Sequence, residues 1–328
     1  MSNNKIVVFG GAGFVGSRLC PLLQEHYDVT VYDTFWFWNN INEYREATQF
    51  RGTVIKDDIR SPFVRDTIRQ NDIVINLACL SNDTSSDINA DFTHDVSYNG
   101  VMNVLTHSAG KRLIQTSSTS VYGVKRGGLV DETETPEPIT QYSKIKSEID
   151  NYLLYRIKYH GDPVTILRPA TLYGFSPRLR LDVMVNTLLN RAFKDNRLLI
   201  EGGGQFRPCL HVDDLCRTFL ACIEDERSYG QIYNVTNENY SVNQIVDIIK
   251  SAVPEVELHY QHVIDQRSYQ TSSQKIIDQL GVHFQTHLNQ DTILSLYEKI
   301  CSCEYNINKT INLQVIKRVL DNEAGYGK

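Results

Sequence analysis

The chain has 328 residues, of which 41% are hydrophobic and 22% charged, close to ordinary globular usage; this excludes a disordered tail, a collagen-like repeat and a disulfide scaffold. At about 150 residues per domain, one large or two medium domains fit this length. Thirty-three basic against thirty-nine acidic residues leave a net charge of -6, so nothing draws the chain to a polyanion and nucleic acid is not an expected partner.

No apolar run reaches the roughly 20 residues of a membrane span. The first five residues lead into a strand-like run without a signal peptide's basic and apolar regions. No membrane partner and a cytoplasmic location are expected. Cys20, Cys79, Cys209, Cys216, Cys222, Cys301 and Cys303 are odd in number and scattered, without metal-ligand spacing; free thiols and no metal site are the expectation.

Residues 5–9 form a short apolar run ended by glycines, and 14–24 carry apolar residues at helical spacing. Further strands are predicted at 28–32, 53–56, 72–77, 112–116 and 163–167, with helical stretches between most of them. Strands apolar on both faces and alternating with helices form a parallel sheet covered on both sides. The expected fold class is therefore α/β, a doubly wound parallel sheet of Rossmann type with a smaller mixed α/β region. After Arg168 the alternation lapses. Helices are predicted near 182–194, at 213–224 and 241–252, and near 290–300, with strands at 231–235 and around 256–260 and a glycine cluster at 202–204. The expected division is a dinucleotide-binding domain of 1–170 and 208–238, and a substrate domain of 171–207 and 239–328. No internal repeat is visible, and the stretch after Cys301 is the least readable.

Gly10, Gly11, Gly13 and Gly16 stand between the first strand and the first helix. A sharp turn, backbone close to a pyrophosphate and a helix lying near the sheet all call for glycine there, and the amides around Phe14 and Val15 would hold phosphate. Asp33 ends the second strand 17 residues beyond Gly16, where a carboxylate accepts hydrogen bonds from ribose hydroxyls. This favours NAD as cofactor: a 2'-phosphate would be repelled, and 34–42 holds no basic residue. The alternative for Asp33 is a strand-end turn residue. Asp58 and Ile59 follow the third strand and either meet the adenine or form a turn. Phe35, Trp36, Phe37 and Trp38 are expected to pack against the domain rather than to touch a ligand.

Tyr142 and Lys146 lie four apart on a predicted helix and so share one face. A phenol with its ordinary pKa near ~10 is a poor base, but an adjacent ammonium favours phenolate. Such a tyrosine takes a proton from a substrate hydroxyl while hydride leaves the same carbon for a nicotinamide. The run Thr-Ser-Ser-Thr-Ser-Val-Tyr-Gly, 116–123, ends the fifth strand, where loops emerge toward a ligand crevice.

Together these features resemble an extended short-chain dehydrogenase/reductase of the NAD-dependent nucleotide-sugar epimerase/dehydratase type. The matching motifs are the glycine turn, Asp33, Asn-Leu-Ala at 76–78, the 116–123 run, Tyr-x-x-x-Lys, Leu-Arg-Pro at 167–169, and Arg-Pro-Cys-Leu-His-Val-Asp-Asp at 207–214. The resemblance implies a catalytic hydroxyl at Ser118, with Ser117 and Thr119 as open alternatives, a base at Tyr142 and a ribose-binding lysine at Lys146. It also implies cofactor contacts near Leu77, Ala78 and Pro169. One departure is Ser97, where the family commonly has asparagine. Relatives that eliminate water carry Asp and Glu directly after the hydroxyl; here Thr119 and Ser120 stand there.

The stretch 173–186 resembles a subgroup of sugar 4-epimerases and GDP-heptose 4-dehydrogenases. Arg178, Arg180 and Asn186 are expected at the substrate entrance, where guanidinium groups suit diphosphate oxygens. Arg207 and Arg267 match family positions for the nucleotide diphosphate, Ser81 and Asn82 should face the sugar, and Thr119 lies beside it. His211 is expected to be a structural hydrogen-bonding residue rather than a general acid. The implied activity is 4-epimerisation of a nucleotide-diphosphate sugar. A 4-dehydrogenase releasing the keto sugar is the alternative, followed by a redox-sensing protein without chemistry. By resemblance, helices over 91–106 and 142–159 pair into a homodimer.

Overall fold

In the computed structural model, which describes residues 4–125, 127–261, 268–303 and 309–325, apolar runs become strands wherever both of their faces can be covered. In chain order the strands are β1 (Lys5–Phe9), β2 (Asp28–Asp33), β3 (Thr53–Lys56), β4 (Ile73–Asn76), β5 (Arg112–Thr116), β6 (Leu129–Val130), β7 (Val164–Pro169), β8 (Thr171–Tyr173), β9 (Arg197–Glu201), β10 (Phe206–His211), β11 (Gln231–Val235), β12 (Glu238–Ser241), β13 (Glu257–Gln261) and β14 (Gln270–Thr271). Seven of these form one parallel sheet in the order β11-β7-β5-β4-β1-β2-β3. The chain winds outward from β1 in both directions, so a crevice opens between the carboxyl ends of β1 and β4.

The strand β1 shows why the sheet takes helices on both faces. Ile6 and Val8 enter one core with the helices Gly16–Leu23 and Val212–Glu224. Val7 and Phe9 enter the opposite core with the helices Val101–His107 and Gln141–His160, and all four side chains are fully buried. At roughly 1.5–3 kcal/mol for each such side chain, this double burial suits β1 to an interior place in the sheet, between β4 and β2.

The helix Gln141–His160 is fixed at both ends. The Thr140 hydroxyl accepts from the Ser143 N–H and Ser143 reaches back in a capping box, while Gly161 stops the helix at φ 66°. Across from it, the segment from Ala90 to His107 is helical with a π-turn over Asp95–Gly100. Gly100 lies there against Ile59, 2.8 Å from where a Cβ would stand.

A second core gathers Tyr173, Leu189, Leu198, Ile245, Ile249 and Ile293 between three helices, Met184–Asp195, Val242–Ala252 and Gln290–Ser302. A three-stranded sheet in the order β12-β10-β8 and the parallel pair β9 and β13 border it. The predicted elements of the doubly wound part recur within one or two residues. The short strands β6, β8, β9, β10, β12 and β14 and the helix Asn312–Gly325 were not predicted from the sequence. These strands are two to six residues long, too short to show a period, whereas the helix does carry apolar residues at helical spacing, 313, 316 and 320 with 315 and 319.

Candidate functional site

A cavity of about 720 Å³ runs along the carboxyl ends of the main strands and continues into the second core. At one end lies the glycine turn. Gly10 has φ 76°, and a Cβ on it would sit 2.7 Å from the Ala78 nitrogen; a Cβ on Gly16 would sit 2.5 Å from the Gly11 backbone. The turn thus brings Gly10, Gly13, Phe14, Val15 and Gly16 to the cavity wall at the start of the helix Gly16–Leu23.

Asp33 is fastened to this turn. Its carboxylate accepts from the Ala12 N–H at 3.0 Å and from the Phe35 N–H at 2.8 Å. Burial pushes its pKa up, while the backbone donors at Phe35 and Ala12 and the Arg178 charge restrain the rise. In the aromatic loop that follows, Phe35 is buried and Trp38 donates its indole N–H to the Ala12 carbonyl at 2.8 Å. Trp36 stacks on Phe92 at 6.1 Å and Phe37 lies against Arg178, and both also line the cavity. Asp58 and Ile59 also lie on the wall, and the Asp58 carboxylate accepts from its neighbour Arg60 at 2.9 and 3.0 Å.

Leu77 and Ala78 lie against the glycine turn, and at the other end of the trough Ser118, Thr119, Tyr142, Lys146 and Pro169 come together. Ser118 caps a turn of 3₁₀-helix over Thr119–Tyr122 and accepts from the Ser120 N–H at 3.1 Å. Its hydroxyl also accepts from the Ser120 hydroxyl at 2.9 Å. The Lys146 ammonium donates to the Thr116 carbonyl at 2.8 Å and lies 5.7 Å from the centroid of the Tyr142 ring. The expectation that the ammonium makes the phenol acidic is corrected for the protein alone. Burial holds the Tyr142 pKa far above its ordinary value, the Cys79 and Asp83 charges add to the rise, and Ser118 and Arg180 only partly oppose it.

Arg178, Arg180, Ser81 and Asn82 share the cavity wall with Asp182 and Asn312. Arg180 donates to Asp182 at 2.8 Å and to the Ser81 hydroxyl at 3.2 Å, and Asn82 donates to Asp182 at 3.3 Å. Thr119 is buried and donates to the Pro169 carbonyl at 3.3 Å. Arg207 lies on the wall beside Gln205 and Glu201. Asn186 is not brought there. Its amide is spent inside the fold, donating to the Gly174 and Arg180 carbonyls and accepting from the Gly174 N–H. Arg267 lies outside the described residues.

His211 accepts from the Asp213 N–H at 3.2 Å and meets Tyr173 edge-on, and a Cβ on Gly174 would sit 2.4 Å from its Nε2. Ser97, the departure from the family pattern, accepts from the Leu80 N–H at 3.0 Å. The sequence reading missed Asp182 and Asn312. The alternation of two arginines and an aspartate over 178–182 could have marked Asp182 as a guanidinium partner, but nothing in the local sequence marks Asn312.

Residues 6–236 match the model of the NAD dependent epimerase/dehydratase family. A putative UDP-glucose 4-epimerase of Methanocaldococcus jannaschii is 28% identical over 261 residues, 76% of this chain and 82% of that protein. A UDP-N-acetylglucosamine 4-epimerase of Methanobrevibacter ruminantium has the same fold, with a TM-score of 0.82 at 18% identity, over 92% of this chain and 99% of that one. So does a UDP-glucuronic acid 4-epimerase of Bacillus cereus, solved with UDP-glucuronic acid and NAD, with a TM-score of 0.80 at 24% identity over 90% of this chain and 99% of that one. With the family match running through more than two thirds of its length, the chain belongs to the NAD dependent epimerase/dehydratase family.

Proposed function

We propose that the protein is an NAD-dependent nucleotide-sugar 4-epimerase. The observation that carries this reading is the convergence of Ser118, Tyr142 and Lys146 at one end of a trough whose other end is the glycine turn with Asp33. The residues present fit NAD. The missing side chains of Gly10 and Gly16 let the turn pack closely on Ala78 and on its own backbone at the cavity wall, and Asp33 offers acceptors where a ribose would lie. Gly13, Phe14 and Val15 would hold the phosphates, Asp58 and Ile59 the adenine, and Leu77, Ala78, Pro169 and Lys146 the nicotinamide half. Bound NAD would supply the acceptor, and then the donor, of hydride at C4 of the sugar.

The chain's own residues move the proton. Tyr142 takes it from the C4 hydroxyl oxygen and returns it to that oxygen once the sugar has presented its other face. Ser118 orients the same oxygen, and Lys146, pinned on the Thr116 carbonyl, orients the ribose. Thr119 and Ser120 in place of two carboxylates leave dehydration without its acid and base. Ser81, Asn82, Thr119 and Arg180 would meet the sugar, and Arg207 the nucleotide diphosphate.

The division into a dinucleotide-binding part and a substrate part is included in this proposal. So is a homodimer built on the helices Ala90–His107 and Gln141–His160, supported by the exposed Leu154, Tyr155 and Tyr159 on the second of them. The seven free cysteines suit the reducing cytoplasm. Incubation with nucleotide sugars in deuterated buffer, with NADH absorbance followed, tests the activity. A C4 epimer without net NADH is the expected result. Stoichiometric NADH would instead make the protein a 4-dehydrogenase, and no reaction with any nucleotide sugar would leave it a sensor.

A further inference from the structure

Arg178 lies in the loop after β8, and that loop packs against the glycine turn. Its backbone N–H donates to the Ser17 hydroxyl at 3.2 Å, in the first turn of the helix behind the glycine turn. Ser17 and Ser176 share a hydrogen bond of 2.7 Å, and Ser176 donates to the Phe14 carbonyl at 2.6 Å. Both serines are fully buried, so this loop is locked onto the phosphate-binding turn.

The Arg178 side chain is held as firmly. Its guanidinium carbon lies 3.7 Å from the centroid of the Phe37 ring, in the loop behind Asp33, and one terminal nitrogen donates to the Asn312 side-chain oxygen. The residue is 4% exposed, lines the cavity, and its Nε has no hydrogen-bond partner. A buried guanidinium N–H left unpaired is costly, and an anion is the partner it fits. Burial and the neighbouring Arg180 charge push the Arg178 pKa down to about 9, as expected where positive charge outweighs negative.

We propose that Arg178, oriented by Asn312 and Phe37, binds the diphosphate of the dinucleotide cofactor rather than that of the nucleotide-sugar. The glycine turn would then hold this diphosphate from one side and a guanidinium delivered by the substrate half from the other. Arg180 is tied instead to Asp182 at 2.8 Å and to Ser81 at 3.2 Å, and the proposal is confined to Arg178. This inference rests on the trough being the NAD site and names the residue that completes it.

The test uses the full chain and binding alone. Affinities for NAD, ADP-ribose, AMP and UDP are measured by calorimetry for the unaltered protein, Arg178→Gln and Arg178→Lys. ADP-ribose carries the diphosphate without the nicotinamide, and AMP lacks the diphosphate. Arg178→Gln should weaken NAD and ADP-ribose by about 10- to 100-fold, the usual size for a lost charge-assisted hydrogen bond, while AMP and UDP change by less than about threefold. Arg178→Lys keeps the charge without the planar stack and should fall between; it carries the same reading should Arg178→Gln not fold. Unchanged NAD and ADP-ribose affinities, or a loss confined to UDP, would overturn the proposal while leaving the cofactor site intact. No NAD binding by the unaltered chain would remove the site reading and this inference together.

Discussion

Lys146 spends its ammonium on the backbone carbonyl of Thr116, 2.8 Å away, at the end of β5. This bond fixes the lysine beneath the Tyr142 ring and leaves the phenol, in the protein alone, an unusually weak acid because burial outweighs the charges that favour phenolate. An oxidised nicotinamide bound in the trough would bring a further positive charge that opposes this rise.

The first prediction concerns that charge. Since the Tyr142 pKa is raised, the phenol keeps its proton through the neutral range, and a cation bound beside it must bring the pKa down. NAD⁺ binding is expected to release protons, increasingly so as pH rises toward the pKa of the complex, and NADH binding is not. Binding heats in buffers of different ionisation enthalpy measure this release. It should vanish in Tyr142→Phe; equal proton release by that variant would assign the titration to another group.

Removing the phenolic oxygen should also stop the chemistry. Tyr142→Phe is expected to lower turnover by about 10²- to 10⁴-fold, the range for a positioned acid or base, with NAD affinity within about threefold of the unaltered protein. Single-turnover assays alongside binding measurements separate the two effects.

Asp33 combines selectivity with local structure. Asp33→Ala should weaken NAD more than NADP and also lower stability, since the Ala12 and Phe35 N–H groups would lose their acceptor at about 1–3 kcal/mol for each one left buried and unpaired. Asp33→Asn keeps an acceptor oxygen and should recover much of the stability while still shifting the NAD to NADP ratio. An unchanged ratio in both variants would remove Asp33 from cofactor selection.

Behind the site, Asp150 lies eight residues beyond Tyr142 on the same helix and pairs with Arg168 at 2.9 Å, both side chains almost wholly buried. Arg168 also donates to the Tyr122 hydroxyl at 2.8 Å. Asp150→Ala is expected to cost about 3–5 kcal/mol in denaturant unfolding, because it strands a buried guanidinium. The double substitution with Arg168→Met should recover a large part of that loss.

What could be read from the sequence was local. The glycine turn, Asp33 and the Tyr142–Lys146 spacing are short-range patterns whose geometry follows from one strand end or one helix, and the structure brings all of them to one cavity. The parallel sheet was legible for the same reason: apolar runs covered on both faces stand out even without a partner strand. Residues whose position depends on distant chain were not legible. Asn186 has the composition of a ligand contact, but its amide is consumed by the Gly174 turn twelve residues away. Nothing near Arg178 in sequence shows that its loop is tied to the glycine turn through Ser17 and Ser176, or that its guanidinium meets Asn312, 134 positions further along the chain.

Asn312 and Ile316 form part of the cavity wall, and Ile316 packs with Leu80, Phe92 and Val96 from the opposite end of the chain. During synthesis the glycine turn and the Tyr142 helix leave the ribosome long before this last helix does. A nascent chain halted at residue 300 would display both motifs without Asn312 and Ile316, so this wall of the trough is added only after the two motifs have emerged.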